Sequence, residues 1–260
     1  IFTNTDSRSL RFDGTNDFAF APHDASLNLT NGMTLEAWVK PSLTGGPRTL
    51  IAKASSPSIF CYSLGLNSSR KVLLRTSDSA GNIFLSVTGG TALATGQWRH
   101  VSASWNGTQG KILLDGVLDG SGSGVGTTRV STISSFLVGG IFGSESFGGN
   151  LDQIRVWNIA RTESDIQGDY QSILAGNEAG LVGLWRLSPG EGQTMLDSTP
   201  NGHDLTKGAD PGEDTSDPLW AEESFPPASE YTTLYDLGES CLFLTHNCPS
   251  GGVYQLQSTT

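Results

Sequence analysis

Apolar and polar residues alternate with a period of two along most of the chain, the spacing of half-buried strands. Leu10 and Phe12 share one face of a strand at 9–12. Leu35, Ala37 and Val39 fall on the inward face of a strand at 34–40, with Glu36 and Trp38 on the other. Val101, Ala103 and Trp105 line up within 100–105. The run from Lys111 ends in Asp115-Gly116, a strong hairpin signal, and Val117 and Leu118 open the return strand. Further strands are predicted at 136–140, 152–157 and 181–187. Many short strands separated by turns predict an all-β, two-sheet antiparallel sandwich.

The spacing predicts one short helix near 163–174. Thr162 and Asp165 form a capping box with Asp in the usual Glu position. Ile166, Tyr170 and Ile173 then fall on one stripe at i, i+4 and i+7. The helix is expected to lie against the sandwich between two late strands. Three regions follow along the chain. Residues 1–207 carry the sandwich pattern, and 208–230 form an acidic Pro/Gly-rich linker that wraps it, with Trp220 as an anchor. Residues 231–260 are a β-rich tail too short for a core of its own, so it packs in cis or on a neighbouring subunit.

Composition narrows the function. The 260 residues carry a formal net charge of −11, which argues against nucleic acid as a partner because phosphate binding draws on clustered Lys and Arg. No run of about 18 apolar residues occurs, so no membrane insertion is expected. Ile1 in place of Met is what a mature form or a fragment would have. The three cysteines make no disulfide scaffold. Cys241 and Cys248 could close a small loop in an oxidising compartment, or join His246 at zinc, although that set is one ligand short of a structural site. Cys61 reads as a small buried apolar residue. Asn28, Asn67 and Asn106 open Asn-X-Ser/Thr triplets that fit surface loops.

Several stretches resemble one family in order along the chain. Leu10–Phe18 with its Asp13-Gly-Thr-Asn-Asp17 turn, then Leu27–Leu29 and Met33–Lys40, are similar to the opening of laminin-G-like, concanavalin A-like jelly-roll domains. Gly96–Trp105 resembles their central strand and Lys111–Val117 their hairpin. Phe147–Asn158, followed by Ala160-Arg-Thr162, resembles their late strand and helix start. Leu181–Leu187 and Asp197–Asp204 resemble the closing segment. The similarity covers roughly 8–206. It implies a jelly-roll sandwich with one concave sheet, a secreted or cell-surface location, and a role in binding carbohydrate, glycosylated surfaces or proteins. Fold does not choose among these.

Asp152 is the first candidate for site chemistry. Alternation puts it on the face of Ile154 and Val156, which must be the core, and a carboxylate there needs a partner. The oxygen-rich turn at 13–17 is the nearest source. Asp13 and Asp152 side chains with carbonyls around Asn16 would suit calcium, a hard cation that takes carboxylate and carbonyl oxygens. The resemblance also implies a structural calcium between the first turn and this late strand. Alternatively Asp152 caps a bulge or bonds backbone N–H groups, and Asp13 only makes its turn.

No enzyme activity is expected. Retaining glycosidases need two carboxyl groups about 5–5.5 Å apart, yet no Glu-X-Asp-X-X-Glu string occurs and Glu36 has no acidic partner on its strand. The four histidines accompany no nucleophile motif. For ligand contact the sequence nominates Tyr62, Phe142, Phe147 and Asn150, the last three in a Gly-rich loop. Trp38, Trp98, Trp105, Trp157 and Trp185 are expected in sheet packing instead. The reading is a non-catalytic recognition or adhesion module for a glycan or cell-surface polymer, with a structural calcium. Alternatives are a subunit of an extracellular filament that self-associates through the C-terminal tail by strand addition and, distantly, a glycoside hydrolase.

Overall fold

The structure is a computed structural model that describes residues 8–42, 45–187, 190–210 and 212–223, together with three short strands beyond them. In chain order the strands begin β1 (Ser9–Asp13), β2 (Ala19–Ala21), β3 (Met33–Pro41), β4 (Arg48–Ser56), β5 (Ile59–Leu66) and β6 (Lys71–Ser77). They continue with β7 (Ile83–Ala92), β8 (Arg99–Trp105), β9 (Gln109–Leu114), β10 (Val117–Ser123), β11 (Ser135–Val138) and β12 (Gly148–Trp157). Helix α1 (Glu163–Asp169) precedes β13 (Leu181–Trp185), β14 (Thr194–Met195), β15 (Leu205–Lys207) and β16 (Leu219–Ala221). Strands β17 (Tyr235–Asp236), β18 (Leu242–Leu244) and β19 (Tyr254–Gln255) form a separate three-stranded antiparallel sheet. How the tail associates, and the Cys241, His246 and Cys248 group, lie outside the described residues.

Two antiparallel sheets make the sandwich, as the periodicity predicts. The first runs β10-β9-β8-β3-β12-β1-β16, with β13 also on β12. The second runs β14-β15-β2-β11-β4-β5-β6-β7. Their facing side chains bury one continuous apolar core that includes Leu35, Ala37, Val39, Leu64, Val101, Phe136 and Val156. The Asp115-Gly116 turn joins β9 to β10 with both residues at positive φ, 48° and 75°, the geometry of a tight hairpin.

Glycines close one side of the sandwich. Gly120, Gly122, Gly124 and Gly126 alternate along and just beyond β10, where it leans on β7 of the other sheet. A Cβ on Gly120 would stand 2.7 Å from the Thr88 carbonyl oxygen, and one on Gly124 2.4 Å from that of Phe84. Asp119 pins the seam by accepting from the Thr91 N–H at 3.1 Å and its hydroxyl at 2.6 Å.

Helix α1 carries the capping box read from Thr162 and Asp165, and Ile166 is buried beneath it. It is shorter than the periodicity predicts. Tyr170 is its C-cap, and Ile173 is 70% exposed instead of joining an apolar stripe. Trp220 donates from its indole to the Gly192 carbonyl at 2.9 Å, and its strand β16 pairs with β1. No helix among the described residues is long and apolar enough to cross a membrane.

Candidate functional site

The outer face of the first sheet is occupied. Glu36 and Trp38 point outward from β3, as alternation predicts, but the segment after β12 covers them. Glu36 is fully buried, with Arg161 Nη1 at 3.1 Å, His100 Nε2 at 3.4 Å and Arg155 Nη1 at 3.7 Å. Burial works to raise its carboxyl, yet His100, Arg155 and Arg161 outweigh this and hold it well below the usual carboxylate range. Burial also pushes the His100 imidazole down, against the upward pull of Glu36. Arg155 donates to the Ser172 carbonyl at 2.6 Å, and Arg161 pairs with Asp169 and stacks over Trp157, 4.2 Å from the ring centroid. Tyr170 packs on Trp38 and His100.

Asp152 belongs to this covered face, which corrects the expectation that it points into the core. It stands opposite Trp38, while Arg155 stands opposite Glu36. Between these pairs two residues of β12, Gln153 and Ile154, oppose the one residue Ala37 of β3, which is a β-bulge, and Gln153 within it has φ +45°. The extra residue reverses the alternation between Asp152 and Ile154. Asp152 Oδ1 accepts the Gln153 N–H at 2.7 Å, the bulge-capping role that was its alternative reading.

The register also separates the predicted calcium ligands. Asp13 lies opposite Gly148, four residues along β12 from Asp152. That is about 13 Å at 3.3 Å per residue, too far for one ion to bridge. Asp13 makes its own turn by accepting the Thr15 N–H at 2.7 Å, and Asn16 stays in the same turn. Among the described residues no group of three or more His, Cys, Asp and Glu is placed to hold a metal ion.

A smaller oxygen cluster does sit at the first turn. Asp17 is buried and accepts the Asp13 N–H at 2.7 Å. Burial raises its carboxyl to about 6, with further upward pressure from Asp13 and Asp217. The Phe18 N–H donates to the Ser216 carbonyl, so Asp17 and Asp217 flank one backbone bond. Asp217 is 8% exposed, and its Oδ1 has no donor. Gln193 donates to the other oxygen of Asp217 at 2.8 Å, while its own buried Oε1 also lacks a donor. Two carboxylates and an amide oxygen are the hard donors calcium takes, and water or carbonyls would supply the rest of its shell.

The second sheet presents its outer face differently. Its register sets Thr194, Thr206, Phe20, Leu137, Ala52, Ser63, Arg75 and Ser86 side by side across eight strands. Directly paired residues share a face. This row lies opposite the main core, because Val72, Leu74 and Thr76 on β6 point inward. Phe18, Phe60, Leu137 and Ile141 form a second apolar cluster here, with Phe20 half-buried against it.

The Gly-rich loop after β11 folds over one end of this face. Ile141 and Ser144 bridge, and Phe142 and Gly143 make the turn between them at φ 47° and 77°. Positive φ in an aromatic residue is a genuine outlier. Phe142 is 46% exposed and meets the Phe18 ring edge-on at 5.5 Å. Glu145, on the same loop, accepts from the Thr49 hydroxyl at 3.0 Å and faces Arg75 at 3.5 Å. Beside them lies a shallow surface groove lined by Pro47, Arg48, Ser63, Leu73, Arg75 and Glu145.

Of the four residues nominated for ligand contact, only Phe142 lies at an open surface. Tyr62 is wholly buried, with its hydroxyl donating to the Leu27 carbonyl at 3.1 Å. Phe147 is 1% exposed and packs edge-on against Phe12. Asn150 is 7% exposed and donates to the Ser9 hydroxyl. Tyr62 and Phe147 point into the main core, whereas Asn150 pairs with Arg11 and Lys40 on the outer face of the first sheet and is covered there. Arg75 escaped the sequence reading, although the alternation of β6 puts it outward. Its meeting with Glu145, 70 residues away, has no local signal.

A family model described as the concanavalin A-like lectin/glucanases superfamily, of the laminin-G type, matches residues 13–167. No curated protein matches the sequence. Similar solved structures include a candidate carbohydrate binding protein from Bacteroides ovatus, with TM-score 0.64 and 16% identity over 79% of this chain. The chain spans 59% of that protein's length. A heptameric SAP-like pentraxin from Limulus polyphemus has TM-score 0.52 and 17% identity, covering 79% of this chain and 96% of its own. At these identities the likeness is one of fold.

Proposed function

The chain belongs to the concanavalin A-like lectin/glucanase superfamily, and we propose that it is a non-catalytic module that binds carbohydrate on the outer face of its second sheet. The observation that carries this reading is Phe142, an exposed aromatic ring held in a left-handed turn at the rim of that face. A ring presented in this way is an apolar platform for a sugar, and strained residues collect at ligand sites. Arg75, Glu145 and Ser63 line a groove on the same face, with Glu145 on the loop that carries Phe142. On the other sheet, α1 and its flanking segment cover the centre of the outer face.

The non-catalytic part rests on Glu36. A general acid must exchange a proton with substrate, and this glutamate is buried among two arginines and a histidine. Location outside the cell, secreted or displayed, belongs to the same reading, because that is where polymeric glycans are met. Calcium enters as a structural ion at Asp17 and Asp217, supported by the two neighbouring buried carboxyls and the donor-free Oδ1 of Asp217.

A glycan array probed with the whole chain and with Phe142→Ala tests the reading. Binding to a saccharide class that the variant loses while its melting temperature is kept is the expected result. Binding to no saccharide, or equal binding by the variant, would remove it. Release of reducing ends from any polysaccharide would overturn the non-catalytic part.

A further inference from the structure

Resting on that carbohydrate reading, we infer that the groove beside Phe142 selects acidic saccharides and that Arg75 reads their carboxylate. The protein as a whole is strongly acidic, with formal net charge −11. Inside the groove the balance reverses, with Arg48 and Arg75 against the single carboxylate of Glu145. Arg48 spends its donors on neutral carbonyls, those of Gly45 at 3.1 Å, Ser146 at 2.8 Å and Gly14 at 3.4 Å. Among the described residues it makes no ion pair, so its charge is not cancelled.

Arg75 is held but not satisfied. Its guanidinium lies over the Phe60 ring, 5.1 Å from the centroid, which fixes the plane of the fork. Its Nε is buried and has no acceptor in the protein. Its one carboxylate neighbour, Glu145 Oε2, stands at 3.5 Å, and that oxygen already accepts the Thr49 hydroxyl at 3.0 Å. A planar fork pre-oriented by stacking, with Nε buried out of a ligand's reach and only a long contact to Glu145 on its terminal nitrogens, matches a carboxylate, which those terminal nitrogens can bind through two N–H bonds. Neutral hydroxyls would meet the same donors without the charge. The row along the sheet adds Ser63 on one side of Arg75 and Ser86 on the other, and Phe142 supplies the apolar contact at the rim.

The experiment compares uronic-acid oligosaccharides, oligogalacturonate and oligoglucuronate, with their methyl esters by titration calorimetry. Esterification removes the charge and keeps the sugar. The whole chain should prefer the free acid by about tenfold or more, the scale of a charge-assisted bidentate contact. The preference should shrink as salt rises, because exposed charges are screened. Arg75→Gln should lose the preference while keeping residual binding to the ester. Arg75→Lys should recover only part of it, since a lysine keeps the charge without the fork. Equal affinity for acid and ester, or an unchanged preference in Arg75→Gln, would overturn the inference and leave the carbohydrate reading standing. Binding to neutral glycans alone would do the same. Failure to bind any saccharide would remove both.

Discussion

Asp152 stands opposite Trp38 across the β3–β12 ladder, on the covered outer face, while Ile154 two residues further on points into the core. The bulge between them depends on Gln153, whose φ of +45° is a backbone state that β-branched residues resist. Gln153→Val should therefore destabilise the fold by about 1–3 kcal/mol. Gln153→Gly frees the backbone but loses the side-chain oxygen that accepts from Arg155 at 3.1 Å, so it should cost less. Denaturant unfolding of the two variants checks the order, and a valine variant as stable as the glycine one would show that the bulge is not held at this residue.

The same bulge marks where the sequence stops being readable. Alternation places Leu35, Ala37, Val39 and Val101 in the core, and Asp115-Gly116 makes its turn, because each follows from spacing along one strand. A single inserted residue reverses the parity, and nothing near Gln153 announces it. The calcium set built on Asp152 failed for that reason. Tyr62 and Phe147 misled for another: an aromatic in a strand or a Gly-rich loop looks alike whether its far face is water or a second layer. The burial of Glu36 depends on Arg161, 125 positions away, and that of Asp17 on residues near 217, so both are products of topology.

Glu36 makes ion pairs with both Arg155 and Arg161 at the centre of the covered face, and Arg161 has Asp169 as a second partner. Removing one member of a buried ion group leaves the others charged and unpaired, a loss of about 3–5 kcal/mol. Glu36→Gln should reach that range in denaturant unfolding, with little dependence on salt because the group is out of water. A loss below about 1 kcal/mol, the scale of a surface pair, would mean the cluster is solvated in solution.

The acid side of the stability curve should show two opposing groups. Asp17, raised to about 6, binds its proton more readily folded than unfolded, so its cost at neutral pH is relieved as pH falls from 6 towards the ordinary value of 3.8. Glu36 is held down to about 2, so its contribution is full above 4.5 and drains away between 4.5 and 2. Melting temperature should hold or rise from pH 7 to 5 and then fall. Asp17→Asn should abolish the rise. Calcium should raise the pH 7 melting temperature by a few degrees, an effect that fades below pH 6 and is lost in Asp217→Asn. A chelator-treated sample that melts with the calcium-loaded one at pH 7 would remove the ion from this site.

Two glycine-to-alanine changes should have opposite signs, and together they test the account of how the sandwich closes. Gly124 sits where β10 runs into β7, and a Cβ there would lie 2.4 Å from the Phe84 carbonyl oxygen and 2.8 Å from Leu85 Cβ. Both are backbone or backbone-proximal atoms, so nothing flexible can yield. Either the two edges part or the strand bends, and overpacking of this kind costs about 1–3 kcal/mol. Gly168 lies within α1 with open space where its Cβ would be. Alanine there restricts the unfolded chain and suits the helix, a gain of about 0.4–1 kcal/mol. Thermal melts of Gly124→Ala and Gly168→Ala should therefore move apart from the parent in opposite directions. A Gly124→Ala protein that melts with the parent would mean that the edges of β7 and β10 stand further apart in solution than the glycine seam requires.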